Sequence, residues 1–264
     1  MHNAALAEMG LDLVYVPLAV KAEDLAVALE GLRAIALVGF NITIPHKQAI
    51  LPLLSQVDPL AAAVGAVNTV WWSDQGWQGT NTDVFGFLAP LKALERDWRR
   101  TPVVVLGSGG AARAVVAGCA QLGCPTIQAV GRDAEKLAQF QASWSLPEIQ
   151  SRLSVHVWPT LDALLPQAGL VVNTTPLGMK PQVNASPLTP EQMALLPVGA
   201  IAYDLIYVPQ PTRFLAEASA RGLETLDGLE MLVQQGAEAL RRWTQREVPV
   251  ATMRTALQRY LGLN

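Results

Sequence analysis

The chain has 264 residues, 51% of them hydrophobic and 16% charged, enough for a sizeable core and long for one domain, which favours two lobes. Its 19 Lys and Arg against 22 Asp and Glu give a formal net charge of −3 with no basic block, which argues against nucleic-acid or anionic-membrane binding and for small-molecule partners. No run approaches the ~20 apolar residues of a membrane span, no signal-peptide pattern opens the chain, and the expected location is cytoplasmic.

Residues 3–9, closed by Gly10, and residues 22–32 have helical spacing, whereas 13–16 and 35–40 are short apolar runs of strand character. That alternation predicts a mostly parallel sheet in the first lobe. Residues 67–72 and the stretch from Trp77 flank Ser73-Asp74-Gln75-Gly76 and predict a hairpin, hence an antiparallel edge. A helical pattern follows from Asp83, and the charged stretch Glu95-Arg96-Asp97-Trp98-Arg99-Arg100 is the expected linker, a solvated hinge surface.

Beyond it the pattern repeats strand then helix: apolar strands at 103–106, 126–130, 153–158, 170–172 and 200–205, with helical stretches between them. This is the doubly wound pattern of a Rossmann lobe, so the predicted fold is α/β with two lobes. Helical segments at 228–243 and 249–261 come last and are expected to dock on the first lobe. The predicted division is residues 1–86, joined by 240–264, as the substrate-binding and catalytic lobe, and 87–239 as the dinucleotide lobe. Cys119 and Cys124 have no His nearby, and no metal site is expected.

The run Val103-Val104-Val105-Leu106-Gly107-Ser108-Gly109-Gly110-Ala111-Ala112 reads as strand, glycine turn and helix start. Gly107 permits the bend, Gly109 lets the backbone approach a pyrophosphate, and Ala112 lets helix and strand pack closely. The helix amides then face the phosphates. About twenty residues on, Gly131-Arg132-Asp133 occupies the ribose-reading position. The planar fork of Arg132 suits a 2′-phosphate and favours NADP over NAD, while Asp133 is the residue type that takes a ribose hydroxyl or repels the phosphate.

Two polar clusters precede this turn: Asn41-Ile42-Thr43-Ile44-Pro45-His46-Lys47 and Gly79-Thr80-Asn81-Thr82-Asp83. The first holds a single Lys, Lys47, and the second a single Asp, Asp83, which form a candidate acid/base pair. Pro45 suits a first helical turn, which puts Lys47 in that turn. Asn41 and Thr43 alternate at a strand end, where they would share a side and hold a hydroxylated substrate. Asp83 also suits the N-cap of the following helix, and both readings stay open. Asn68 adds an amide at a strand start, either a turn former or a third substrate contact.

Seven blocks in order carry a resemblance across almost the whole chain: Gly39 to Lys47, Gly65-Ala66-Val67-Asn68-Thr69, Asn81-Thr82-Asp83, Gly107 to Ala114, Asn173-Thr174-Thr175-Pro176-Leu177-Gly178-Met179, Tyr203-Asp204-Leu205-Ile206-Tyr207-Val208-Pro209 and Gly228-Leu229-Glu230-Met231-Leu232-Val233-Gln234-Gln235. The chain resembles the shikimate dehydrogenases. The resemblance implies NADPH-dependent reduction of 3-dehydroshikimate to shikimate, on the path to chorismate and the aromatic amino acids. It makes Lys47 and Asp83 the catalytic pair, Asn41, Thr43, Asn68, Tyr207 and Gln235 substrate contacts, and Gly107, Ser108, Gly109, Gly110, Ala111, Ala112, Arg132, Thr174, Gly228 and Met231 the cofactor set. By residue type alone Gln235 reads as solvent-facing and Met231 as core filling. The candidate assembly is a homodimer.

One departure stands out. The family begins with a strand and a Ser-x-Ser-Pro segment leading into Met-His-Asn, and this sequence starts at Met1-His2-Asn3. The expectation is that the reading frame starts upstream and that the polypeptide as written binds shikimate weakly or folds poorly, because the missing strand would leave backbone groups unpaired. Two alternatives are kept, an NAD(P)-dependent quinate/shikimate dehydrogenase and a relative that binds ligand without turnover. A methylene-tetrahydrofolate dehydrogenase shares the two-lobe plan but leaves both polar clusters unexplained.

Overall fold

A computed structural model describes residues 1–43 and 45–263; Ile44, within the first polar cluster, and Asn264 lie outside the described residues. The chain divides into two compact units, Met1–Gly86 with Val233–Asn264, and Phe87–Leu232. The first holds α1 (His2–Glu8), α2 (Leu25–Ala34), β1 (Gly39–Asn41), α3 (His46–Ala49), β2 (Gln56–Val57), α4 (Pro59–Val64), β3 (Thr69–Ser73), β4 (Gly76–Thr80) and the start of α5 (Asp83–Lys92). The second holds β5 (Val103–Leu106), α6 (Gly110–Leu122), β6 (Ile127–Gly131), α7 (Ala134–Ala142), α8 (Pro147–Gln150), β7 (Leu153–Val157), α9 (Leu161–Leu164), β8 (Leu170–Asn173), α10 (Pro190–Ala194), β9 (Ile201–Asp204), α11 (Arg213–Ala220), β10 (Glu224–Leu226) and the start of α12 (Gly228–Thr244). The rest of α12 and α13 (Val250–Leu261) return to the first unit.

The sheet of the second unit runs β10-β9-β8-β5-β6-β7 with every pairing parallel. Counted from β5, that is the doubly wound order of a Rossmann fold, and the direction in which successive strands are added reverses between the neighbours β5 and β8, which stay parallel. Helices on both faces require strands that are apolar throughout, and β5 is fully buried. Strands β8 and β9 are apolar up to their last residues, Asn173 and Asp204, which pair across the sheet and are also fully buried. Around Val104, Leu106, Val171, Ala202 and Phe214 lies the main core of this unit.

In the first unit the sheet order is β1-β3-β4-β2, and two of its three pairings, β1–β3 and β3–β4, are antiparallel. The expectation of a mostly parallel sheet there is corrected. The hairpin forms the middle of the sheet instead of its edge, with Trp72 opposite Trp77. Residues 13–16 form no strand, for a local reason: the Tyr15 N–H donates to the Asn3 side-chain oxygen at 2.7 Å, and the Asn3 amide donates back to the Tyr15 carbonyl at 2.9 Å. A side chain thus satisfies the backbone groups a neighbouring strand would have taken, and Val14 is 73% exposed.

The charged stretch at 95–100 is not a linker. Arg96 donates to the carbonyls of Gly199 at 2.8 Å and Gly169 at 3.1 Å, and Trp98 is buried. The unit boundary falls earlier, inside α5. Among the described residues no helix is long and apolar enough to cross a membrane, and no group of three or more His, Cys, Asp or Glu is placed to hold a metal ion.

Candidate active site

Lys47 is the second residue of the short helix α3, with Pro45 at its N-cap, and the Lys47 carbonyl is fixed by the Val67 N–H at 2.8 Å. Asp83 opens α5, where a carboxylate is favoured by the positive end of the helix dipole. Its side chain does not cap the helix. Lys47 Nζ donates to Asp83 Oδ2 at 2.6 Å, and Asn68 Nδ2 donates to Asp83 Oδ1 at 2.8 Å. The Asn81 side-chain oxygen accepts the Asp83 N–H at 3.0 Å, while the Asn81 amide is anchored on the Ala66 carbonyl. Both side chains of the ion pair are partly covered, 27% exposed for Lys47 and 19% for Asp83.

Asn68 is the hinge of this cluster. Its oxygen accepts the Thr82 N–H at 2.8 Å and the Thr69 hydroxyl at 2.9 Å, and its carbonyl accepts from the Asn41 amide at 3.2 Å. The Thr82 hydroxyl reaches Gln235 Oε1 at 3.5 Å, so Gln235, on α12, belongs to the cluster and is not a solvent residue. The structure therefore links Asn41, Lys47, Asn68, Asp83 and Gln235 by hydrogen bonds. Thr43 is exposed, with its carbonyl accepting the His46 N–H. Tyr207 lies in the second unit, exposed on the loop 205–212.

Sequence reasoning missed Tyr15, whose hydroxyl donates to Asn41 Oδ1 at 3.0 Å, and Thr69, whose hydroxyl accepts from the Asn41 amide at 3.2 Å. The available signal for Tyr15 was a phenol inside an otherwise apolar run.

In the second unit the cofactor candidates gather at the carboxyl ends of the strands. Gly107 has φ +117°, and a Cβ there would stand 2.5 Å from the Thr174 hydroxyl oxygen. That hydroxyl donates to the Leu106 carbonyl at 2.7 Å, so the turn after β5 and the turn after β8 are stitched together at the sheet's reversal point. Gly109 caps α6, and a Cβ built at Gly109 or Gly110 meets nothing within 4 Å. Together with exposed Ala111, this leaves open space over a helix N-terminus, which fits a pyrophosphate. Ala112 is buried, as close helix–strand packing requires. Gly228 opens α12, and a Cβ there would come 2.0 Å from the Leu205 carbonyl oxygen, so only glycine lets that loop approach. Met231, one turn on, is half-buried and not part of the core. Arg132 is exposed directly after β6. Asp133 caps α7: its Oδ1 accepts the Glu135 and Lys136 N–H groups, each at 3.0 Å.

A parallel sheet in Rossmann order with an open glycine turn defines a dinucleotide-binding α/β protein, here with a lysine–aspartate pair in its other unit. Residues 1–70 match the shikimate dehydrogenase substrate binding domain, and residues 228–258 match the shikimate 5'-dehydrogenase C-terminal domain. The NADP(+) shikimate dehydrogenase of Trichormus variabilis is 55% identical over 100% of this chain and 92% of its own length. Among solved structures, the Listeria monocytogenes shikimate 5-dehydrogenase in complex with shikimate and NAD superposes with TM-score 0.88, at 32% identity over 97% of this chain and 90% of that one. The Thermus thermophilus enzyme, in complex with NADP(H) and shikimate, superposes with TM-score 0.84, at 36% identity over 98% of this chain and 92% of that one. The chain belongs to the shikimate dehydrogenase family.

Proposed function

We propose that Lys47 and Asp83 are the acid/base pair with which this chain, an NADP-dependent shikimate dehydrogenase, interconverts 3-dehydroshikimate and shikimate. The observation that carries the reading is the network in which Asp83 accepts Lys47 on one oxygen and Asn68 on the other. Reducing a ketone to an alcohol needs a hydride at carbon and a proton at oxygen. NADPH, when bound, supplies the hydride. Lys47 has three N–H donors and uses one on Asp83, which leaves donors to meet the C3 oxygen and give it a proton as charge develops there. Asp83 holds Lys47 in place and accepts from the neighbouring substrate hydroxyl. Asn41, Thr43, Asn68 and Gln235 supply amide and hydroxyl groups for the remaining hydroxyls, and Tyr207 meets the carboxylate. Most of the rate advantage then comes from positioning and proton transfer.

Residues 107–112, Thr174, Gly228 and Met231 would hold NADP, and Arg132 would supply the cation for its 2′-phosphate. The cap made by Asp133 supports NADP over NAD, because one carboxylate oxygen is already occupied by two helix amides. In this reading the first unit binds substrate and the second binds cofactor. It goes with a cytoplasmic location and a homodimer, the latter to be checked by light scattering. The test is the absorbance of reduced nicotinamide during shikimate oxidation with NADP⁺, NAD⁺, and quinate in place of shikimate. The expected result is turnover with shikimate and a higher kcat/KM for NADP⁺. Ligand-induced stabilisation without turnover would sink the assignment.

A further inference from the structure

We propose that Asn173 and Asp204 are positioning residues for the cofactor: from inside the sheet they set the two loops that carry Thr174 and Tyr207 and, through Ile206, the start of α12 at Gly228. The proposal rests on the assignment of those three residues to the cofactor and substrate site.

Paired across β8 and β9, the two side chains are each fully buried. Asp204 Oδ1 accepts the Asn173 amide at 3.0 Å and the Ile206 N–H at 3.1 Å, and its Oδ2 accepts the Thr212 hydroxyl at 2.7 Å. The Asp204 carboxylate thus holds both ends of the loop 205–212. Asn173 does the same for the neighbouring turn: its oxygen accepts the Thr175 N–H at 3.0 Å and hydroxyl at 2.7 Å, and its amide also donates to the Leu177 carbonyl at 3.1 Å. Between them the bond from Asn173 to Asp204 couples the loops. The Gly228 N–H donates to the Ile206 carbonyl at 3.1 Å, which extends the coupling to the start of α12.

A core strand would be more stable with an apolar residue than with a charge taken out of water. Burial pushes the Asp204 carboxyl up to about 6, with Asp227 repelling it in the same direction, against the hydrogen bonds from Thr212, Ile206 and Asn173. Two polar residues side by side at the carboxyl ends of otherwise apolar strands, where a Rossmann sheet binds its nucleotide, make sense as loop anchors. Buried polar networks fix geometry when every member is satisfied.

Asp204→Ala would leave three buried donors without an acceptor and is expected to misfold, so Asp204→Asn and Thr212→Val are the variants to use. Both keep side-chain volume, and Thr212→Ser restores the hydroxyl. In protein shown folded by circular dichroism, NADP⁺ affinity by fluorescence titration and kcat/KM for NADP⁺ are expected to fall by about 10- to 10²-fold in Asp204→Asn and Thr212→Val, the cost of a misplaced contact group. Thr212→Ser is expected to bind as wild type. Unchanged NADP⁺ binding in the folded variants overturns the proposal, as does a Thr212→Ser variant as weak as Thr212→Val. Thr174→Val and Tyr207→Phe are run in parallel. If neither alters NADP⁺ binding or turnover, the site assignment fails and the proposal with it; if they respond while Asp204→Asn and Thr212→Val do not, the proposal alone fails.

Discussion

Lys47 and Asp83 meet at 2.6 Å, and the significance of that contact lies in what surrounds it. A single ion pair still reached by solvent contributes little to stability. Here both carboxylate oxygens are engaged, one by Lys47 and one by Asn68, and Asn68 is itself held by Thr69 and Thr82. Such a carboxylate has few orientations open to it, which is what proton transfer at a fixed atom demands. A second residue-scale consequence concerns His2. It is buried, stacked on Tyr15 at 4.1 Å between ring centroids, and its pKa is lowered to about 4, chiefly by burial. The folded state therefore prefers neutral His2, whereas the unfolded chain protonates near 6.5. The contribution is fully present above about 6.5 and is lost as pH falls toward about 4. Urea unfolding of wild type and His2→Gln across that window should show wild type losing stability relative to the variant as pH drops; parallel curves would refute the coupling.

At the scale of elements, the turn after β5 illustrates how sequence becomes site. Gly107 sits at φ +117° with the Thr174 hydroxyl against it, so a side chain there is strained in backbone and crowded in space. Gly107→Ala should destabilise the protein by about 1–3 kcal/mol, the cost of forcing a non-glycine residue into such a region, and should weaken NADP⁺ binding; chemical denaturation and a binding titration check the two effects. This turn was legible in the sequence because strand, glycine and small residue follow at fixed offsets. The run at 13–16 was misleading, since its apolar content predicts a strand while Asn3 takes the backbone groups of Tyr15. The hairpin at Ser73 to Gly76 was legible, but its place in the middle of the sheet was not, because turn chemistry says nothing about which neighbours flank a hairpin. Charge density alone made residues 95–100 look like a linker; Arg96 instead satisfies carbonyls from two distant turns.

For the whole molecule, the two units carry different kinds of information. Strand order and the open glycine turn define the second unit, and these follow from patterns any Rossmann sheet must have. The first unit is defined by a cluster in which Asn41, Asn68, Asp83 and Gln235, from four separate stretches of chain, are joined through Thr69 and Thr82. Local spacing could name Lys47 and Asp83 as candidates, but Gln235, 153 residues from its partner Thr82, was beyond its reach. The central claim is that Lys47 moves the proton in this chain. Its most direct test is steady-state oxidation of shikimate by NADP⁺ in wild type and Lys47→Ala, with NADP⁺ affinity measured in parallel. The account predicts that kcat falls by about 10²-fold or more, the range for a lost acid/base group, while NADP⁺ affinity is retained. A Lys47→Ala enzyme with wild-type kcat would contradict it.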